Sequence, residues 1–336
     1  MMKVMLALIA TVLLATGVAS AAVRSGEIVV AVDLSGQPAG KEARLWLPYP
    51  VSDKEQSIKD IRVTGDFAES GVYTDAANGT PILYARWDKG ARSRKLELAF
   101  FAERQEVRHR ALPAAEPAWN KADFAPYLAA TSLGPVDGEV KKLAARITLG
   151  KSTVLAKAKA IYDWTCENTC RDPNTRGCGK GDVCALLRKP EGKCTDISSL
   201  FVALCRAAGV PAREIFGIRL GTKDGEDITG WQHCWAEFYL PGYGWVPADP
   251  ADVRKAMLVE KLQLSDPKTA GYRSYFWGGI DAARVKLAVG RDIVLNPPQK
   301  GAPLNTFGYP YAEVGGVPLD FYEPKSFAYT ITYRSK

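Results

Sequence analysis

Between residues 194 and 249 the chain reads as one apolar helix followed by three short strands, and that succession restricts the fold more than any other stretch. Leu200, Phe201, Leu204, Cys205 and Ala208 share a helical face in a helix predicted from about Cys194 to Ala208; Gly209 stands where a helix ends and Pro211 bars continuation. Strands are predicted over 213–220, 233–240 and 244–247, the last two joined by the Pro241-Gly242 turn. A helix followed by consecutive antiparallel strands is an α+β arrangement.

The N-terminus speaks to compartment. Met1-Met2-Lys3 precedes an apolar run from Val4 to Val18 and then Ala19-Ser20-Ala21, the pattern of a cleavable signal peptide spanning residues 1–21. The run is shorter than the roughly 20 apolar residues of a membrane span. A periplasmic or secreted protein without stable membrane insertion is therefore expected. Cleavage would remove one lysine and no acid from a chain of formal charge +7. Lysine and arginine are scattered among the acids, with no basic block or aromatic-interleaved stripe, so no nucleic-acid partner is expected.

The mature length exceeds one typical core, and the pattern divides accordingly. Residues 22–112 carry β-rich runs over 28–32, 43–47, 82–87 and 95–101, separated by turn residues, and predict an all-β N-terminal domain. A proline- and alanine-containing linker falls within 113–136. A catalytic core is assigned to 137–255, with helices expected over 137–147 and 153–166, and an extension packing on the core to 256–336. After Asp249 a helix is predicted over 253–262 and, in the extension, a strand over 326–333.

The run Gly192-Lys193-Cys194-Thr195-Asp196 puts a cysteine at a helix start. A thiol must become a thiolate to attack a carbonyl, and a helix N-terminus or a neighbouring imidazolium favours that form. His233 opens a strand in which His233, Trp235, Glu237 and Tyr239 alternate with Cys234, Ala236, Phe238 and Leu240. If the histidine face meets the helix, His233 can act as base, and Asp249 can orient its ring. The unpaired N–H groups of the first helical turn are expected to point toward the sulfur and any oxyanion. Trp164 and Gln232 are candidate side-chain oxyanion donors. His109, between two arginines, is expected to have no catalytic role. Glu237 and Trp235 fit substrate contact or packing equally well.

The runs Gly192 to Asp196, Arg206-Ala207-Ala208-Gly209-Val210-Pro211-Ala212-Arg213, His233-Cys234-Trp235-Ala236-Glu237 and Gly244-Trp245-Val246-Pro247-Ala248-Asp249-Pro250 together resemble the transglutaminase-like superfamily over roughly 150–255. The resemblance implies a papain-related core, with Cys194 as nucleophile, His233 as base and Asp249 as orienting acid. It also implies a β-sandwich for the N-terminal domain. The expected function is that of an exported cysteine enzyme, a peptidase, amidase or protein-glutamine acyltransferase, acting on amide bonds of protein or peptide substrates of the cell envelope through a thioester on Cys194. A non-catalytic envelope binding protein of the same fold is the alternative, and thiol-disulfide chemistry in the cysteine cluster is a third reading.

With Cys194 free, Cys166, Cys170, Cys178, Cys184, Cys205 and Cys234 form an even set, and disulfides are expected among them in an oxidising compartment; Cys205 and Cys234 are not expected to pair with each other. The spacing of Cys166, Cys170, Cys178 and Cys184 does not match paired C-x2-C zinc knuckles, so no metal site is expected. Asp224, Glu226 and Asp227 lack the pattern of a calcium loop and read as a solvated turn. No cofactor is expected. The aromatic groups 275–277 and 307–311 read as core packing rather than cleft lining.

Overall fold

A computed structural model describes residues 22–109 and 111–335. The expected signal peptide, residues 1–21, lies outside the described residues. The first part of the chain is all strand: β1 (Val23–Asp33), β2 (Ala43–Pro48), β3 (Gln56–Gly65), β4 (Glu69–Thr74), β5 (Pro81–Trp87), β6 (Lys95–Gln105) and the short β7 (Val107–Arg108). A 3-10 turn over Lys121–Tyr127 leads into the helical part. There α1 (Gly138–Ile147), α2 (Val154–Asn168), β8 (Cys170–Arg171), α3 (Val183–Arg188) and β9 (Glu191–Gly192) precede α4 (Cys194–Ala207). Strands β10 (Ala212–Arg219), β11 (Glu226–Asp227), β12 (Gln232–Leu240) and β13 (Gly244–Ala248) follow. The chain ends with α5 (Pro250–Glu260), α6 (Pro267–Phe276), β14 (Gly279–Ile280), β15 (Arg284–Val289), β16 (Tyr311–Val314), β17 (Val317–Pro318) and β18 (Ala328–Arg334).

Two five-stranded antiparallel sheets, ordered β11-β18-β1-β6-β3 and β17-β16-β2-β5-β4, enclose a core containing Ile28, Leu45, Leu83, Trp87, Leu98, Phe100 and Phe327. Residues 256–336, read from the sequence as an extension, supply β16 to β18 to these sheets; Val30 pairs with Ile331 and Trp46 with Tyr311. They also supply β15 to the sheet beside the site. That sheet is antiparallel in the order β13-β12-β10-β15. Ile218 and Val285 from β10 and β15 reach into the core of the strand-rich part, so the two layers share packed side chains.

Helix α4 sits at the centre. Its apolar side, Leu200, Phe201, Leu204 and Cys205, packs with Ala236, Phe238 and Leu240 of β12. Its remaining sides are covered as well, by α1, α2, α3 and α5, so nearly every residue from Cys194 to Arg206 is buried. A helix covered on nearly every side belongs inside a protein rather than on its surface. Burial of side chains such as Phe201 and Phe238, both fully enclosed, stabilises by roughly 1.5–3 kcal/mol each. This packing fixes the start of α4, where Cys194 lies. No helix among the described residues is long and apolar enough to cross a membrane.

Candidate active site

Cys194 is the first residue of α4 and is 2% exposed. The glycine- and cysteine-containing loop before it is folded around the helix start by one carboxylate. Asp196 accepts hydrogen bonds from the backbone N–H groups of Lys180 (3.0 Å), Gly181 (2.8 Å) and Lys193 (3.0 Å). Glycine is required where that carboxylate lands: a Cβ on Gly192 would lie 2.6 Å from Asp196, and one on Gly179, at φ +93°, would lie 1.9 Å from it.

All seven cysteines are free thiols, which corrects the expectation of disulfides among the other six. Burial and location explain it. Cys166 and Cys205 are enclosed in the helical core, whereas Cys170 and Cys184 are exposed. Cys178 and Cys234 instead converge on Cys194, the three sulfurs lying within 4.8 Å of one another. Backbone hydrogen bonds donated to Asp196, rather than a cross-link, hold the loop.

The histidine face of the strand is not the one that meets the helix. The face of β12 that packs on α4 is that of Cys234, Ala236 and Phe238; Trp235 packs on the other side with Val107, Ile215 and Ile280. Cys194 and His233 nevertheless line one cleft, because each stands at an end of its element, the first residue of α4 and the second of β12. The expectation that the first helical N–H groups are free near the sulfur is likewise corrected for Thr195, whose N–H donates to the Cys178 carbonyl at 2.9 Å.

His233 Nε2 lies 2.7 Å from Asp249 Oδ2 and 3.6 Å from Asp252 Oδ1. Asp249 follows β13 and caps α5, its Oδ1 accepting from the Asp252 N–H at 2.9 Å. Its fully buried carboxylate also receives Arg284 Nη1. Arg284, itself fully buried on β15, reaches Asp252 (2.6 Å) and Asp281 (2.8 Å), and Arg219 reaches Asp252 at 2.6 Å. Sequence reasoning found the histidine and Asp249 but not Asp252 or Arg284. Asp252, three residues after Asp249 on one helix face, was the available signal; Arg284 had none, being 35 residues away.

The electrostatics separate the thiol from the imidazole. Hydrogen bonds from Cys178 and then Cys234 hold the Cys194 thiol well below the ordinary thiol range against the opposing effect of burial, and His233 adds to the lowering. Burial pushes His233 down, and Arg219 does too, but Asp252 and Asp249 outweigh them, so its pKa lies above the ordinary imidazole value. Burial opposes the charge on Asp252 also, yet Arg284, His233 and Arg219 depress its pKa strongly. A thiolate facing an imidazolium is the state these shifts favour. With Nε2 engaged by Asp249, Nδ1 is the ring nitrogen left for the thiol.

The cleft has a volume of about 620 Å³. Arg171, Lys193, Arg219 and Lys255 make one side cationic, while Tyr309, Phe321, Tyr322 and Phe327 from the C-terminal segment form an aromatic wall. Tyr309 thus lines the cleft, against the reading of its group as core alone. Gln232 lines it too, 8% exposed, with both side-chain polar atoms buried and without a partner among the described residues. Trp164, the other oxyanion candidate, packs against the helical core. His109 bonds the Tyr243 hydroxyl at 2.6 Å and lines a different cavity. Glu237 is paired with Arg213 at 2.6 Å. Glu226 and Asp227 are satisfied by backbone N–H groups of residues 222, 223 and 229.

Residues 141–250 match the sequence profile of the transglutaminase-like superfamily. Over 320 residues the chain is 41% identical to an uncharacterized protein of Haemophilus influenzae, covering 87% of this chain and 86% of that one. This chain belongs to the transglutaminase-like superfamily. It also shares 32% identity over 126 residues with the uncharacterized protein YebA of Bacillus subtilis, a match that spans 33% of this chain and only 17% of YebA. Among solved structures, a Cytophaga hutchinsonii protein provisionally described as a cysteine protease superposes with a TM-score of 0.51 at 17% identity, covering 93% of this chain and 98% of that one. At that identity the likeness speaks to the fold, a transglutaminase-like α+β core joined to a β-rich N-terminal region.

Proposed function

We propose that this protein is an exported cysteine enzyme that cleaves or transfers an amide through a thioester on Cys194. The observation that carries the reading is the 2.7 Å bond between His233 Nε2 and Asp249, at a cleft that Cys194 and His233 line together. The Cys194 thiolate attacks the carbonyl carbon, forming the C–S bond and sending the π electrons to oxygen. As the C–N bond breaks, the proton on His233 Nδ1 passes to the departing amine, leaving a thioester. His233 then takes a proton from water or from an acceptor amine, which attacks the thioester and releases the Cys194 thiolate. Asp249 holds the ring and its positive charge.

Gln232 is the candidate donor to the oxyanion, since its amide lies unpartnered at the cleft whereas the Thr195 N–H is already engaged. The cationic side of the cleft favours a peptide with a carboxylate close to the scissile bond. Residues 1–21 have the pattern of a signal peptide, which directs the reading toward peptides of the cell envelope. Envelope peptides incubated with the protein and quenched in acid should leave an acyl group on Cys194, detected by mass spectrometry and discharged by hydroxylamine. Unaltered envelope function in a Cys194→Ala strain would favour the non-catalytic reading instead.

A further inference from the structure

We propose that Cys178, Cys194 and Cys234 form a site for one thiophilic divalent cation of the zinc class. The three residues come from a loop, a helix start and a strand, so no sequence spacing announces the site. Their sulfurs lie within 4.8 Å of one another. A tetrahedral zinc ion, with Zn–S bonds of about 2.3 Å, holds its sulfurs roughly 3.8 Å apart, so adjustments of about 1 Å or less gather all three. A disulfide requires sulfurs about 2.05 Å apart, and each of these thiols is free.

The surroundings are those of a soft-metal site. All three cysteines are at most 4% exposed. The Tyr309 hydroxyl donates to Cys178 Sγ at 3.1 Å, and Thr195 Oγ1 lies 3.2 Å from Cys234 Sγ, so two ligands already have the outer hydroxyl partners that orient thiolates around a metal. Cys178 and Cys194 line the cleft, which supplies an entry path and an open fourth position for water. As metal–sulfur bonds form, the thiol protons pass to solvent. An ion bound here shares the Cys194 electron pair that would otherwise attack a carbonyl, making it a reversible brake. Only that consequence rests on the proposed thiol chemistry; the binding itself does not.

The test uses the full chain, reduced with a phosphine, freed of metal and titrated with Zn²⁺ and with Co²⁺. One ion per chain is expected, with sulfur-to-cobalt charge-transfer absorption in the Co²⁺ form. Affinity should fall by roughly tenfold or more in Cys178→Ser and in Cys234→Ser. In the wild type, which leaves variant folding out of the question, Zn²⁺ should protect Cys178 and Cys194 from iodoacetamide while the exposed Cys170 and Cys184 react as before. The proposal is overturned by binding that persists in the Cys178→Ser/Cys234→Ser double variant, by alkylation indifferent to Zn²⁺, or by a disulfide joining any two of the three in protein isolated without reductant. Zinc binding by a protein that shows no amide turnover when metal-free would sink the catalytic reading and leave the metal site standing; turnover by the metal-free protein without zinc binding would do the reverse.

Discussion

Replacing Asp249 by Asn removes one negative charge beside His233 and almost no volume. The variant keeps an oxygen that can cap α5, where Asp249 Oδ1 accepts from the Asp252 N–H at 2.9 Å, and asparagine is as good an N-cap as aspartate. Arg284 keeps its bonds to Asp252 (2.6 Å) and Asp281 (2.8 Å), so the fold should hold. What disappears is the charge-assisted bond of 2.7 Å to Nε2, a kind of bond worth about 1.5–3 kcal/mol. At 1.36 kcal/mol per pKa unit that is about 1–2 units of imidazolium stabilisation. Asp252, 3.6 Å from Nε2, still supplies a carboxylate, which puts the expected loss near about 1 unit. His233 has a raised pKa, so its positive charge is present at low pH and lost as pH rises through that value. Removing Asp249 lowers it and narrows the window in which imidazolium supports thiolate. The assay is the rate of iodoacetamide labelling of Cys194 against pH, with near-ultraviolet circular dichroism as the folding control. The alkaline edge of that window, where the imidazolium is lost, should move to lower pH by about 1 unit. A folded Asp249→Asn variant with an unmoved edge refutes the role given to Asp249.

Three further outcomes are expected. Lys255→Gln should lower the ratio of iodoacetate to iodoacetamide labelling rates at Cys194, because Lys255 belongs to the cationic side of the cleft; an unchanged ratio argues against an anionic substrate. Gln232→Ala should weaken inhibition by a peptide aldehyde by about 10²-fold, the cost of losing one oxyanion donor, and should leave the labelling rate near wild type. Arg284→Met should destabilise the protein by about 3–5 kcal/mol in urea unfolding, since it strips the buried Asp249 and Asp252 of their shared cation; a loss under about 1 kcal/mol would mean the carboxylates find another partner.

Periodicity carried α1, α2 and α4 but not α3 or α6; α2 and α4 bury apolar positions that recur at helical spacing. The predicted span of about Cys194 to Ala208 differs from the observed one by a single residue at its end. Strands β1, β2, β5 and β6 were legible as β-rich runs bounded by turns. Strands β3 and β4 were not: both lie at sheet edges, and their largely exposed residues show no buried face to alternate with. The pairing of β18 with β1 joins residues some 300 apart, which no local pattern records. At the site, Cys194, His233 and Asp249 were readable from local context, namely a glycine before a helix, a strand start and a strand end. Alternation correctly separated His233 from Cys234 but could not say which face the helix would cover. The apolar residues Ala236 and Phe238 decided that, drawing Cys234 toward α4 and into contact with Thr195. The parity of the cysteines misled because it counts thiols without regard to where the fold buries them.

The most direct test of the thiol account compares cysteines within one molecule. Native reduced protein is exposed briefly to iodoacetamide at about pH 6, where an ordinary thiol of pKa roughly 8.5 is almost wholly protonated. Cys170 and Cys184 are exposed and serve as internal references, whereas Cys194 is nearly buried but opens on the cleft. The account predicts that Cys194 is modified first and that its advantage over both references shrinks as pH rises toward 9. Modification of Cys170 and Cys184 ahead of Cys194 at pH 6 would contradict it.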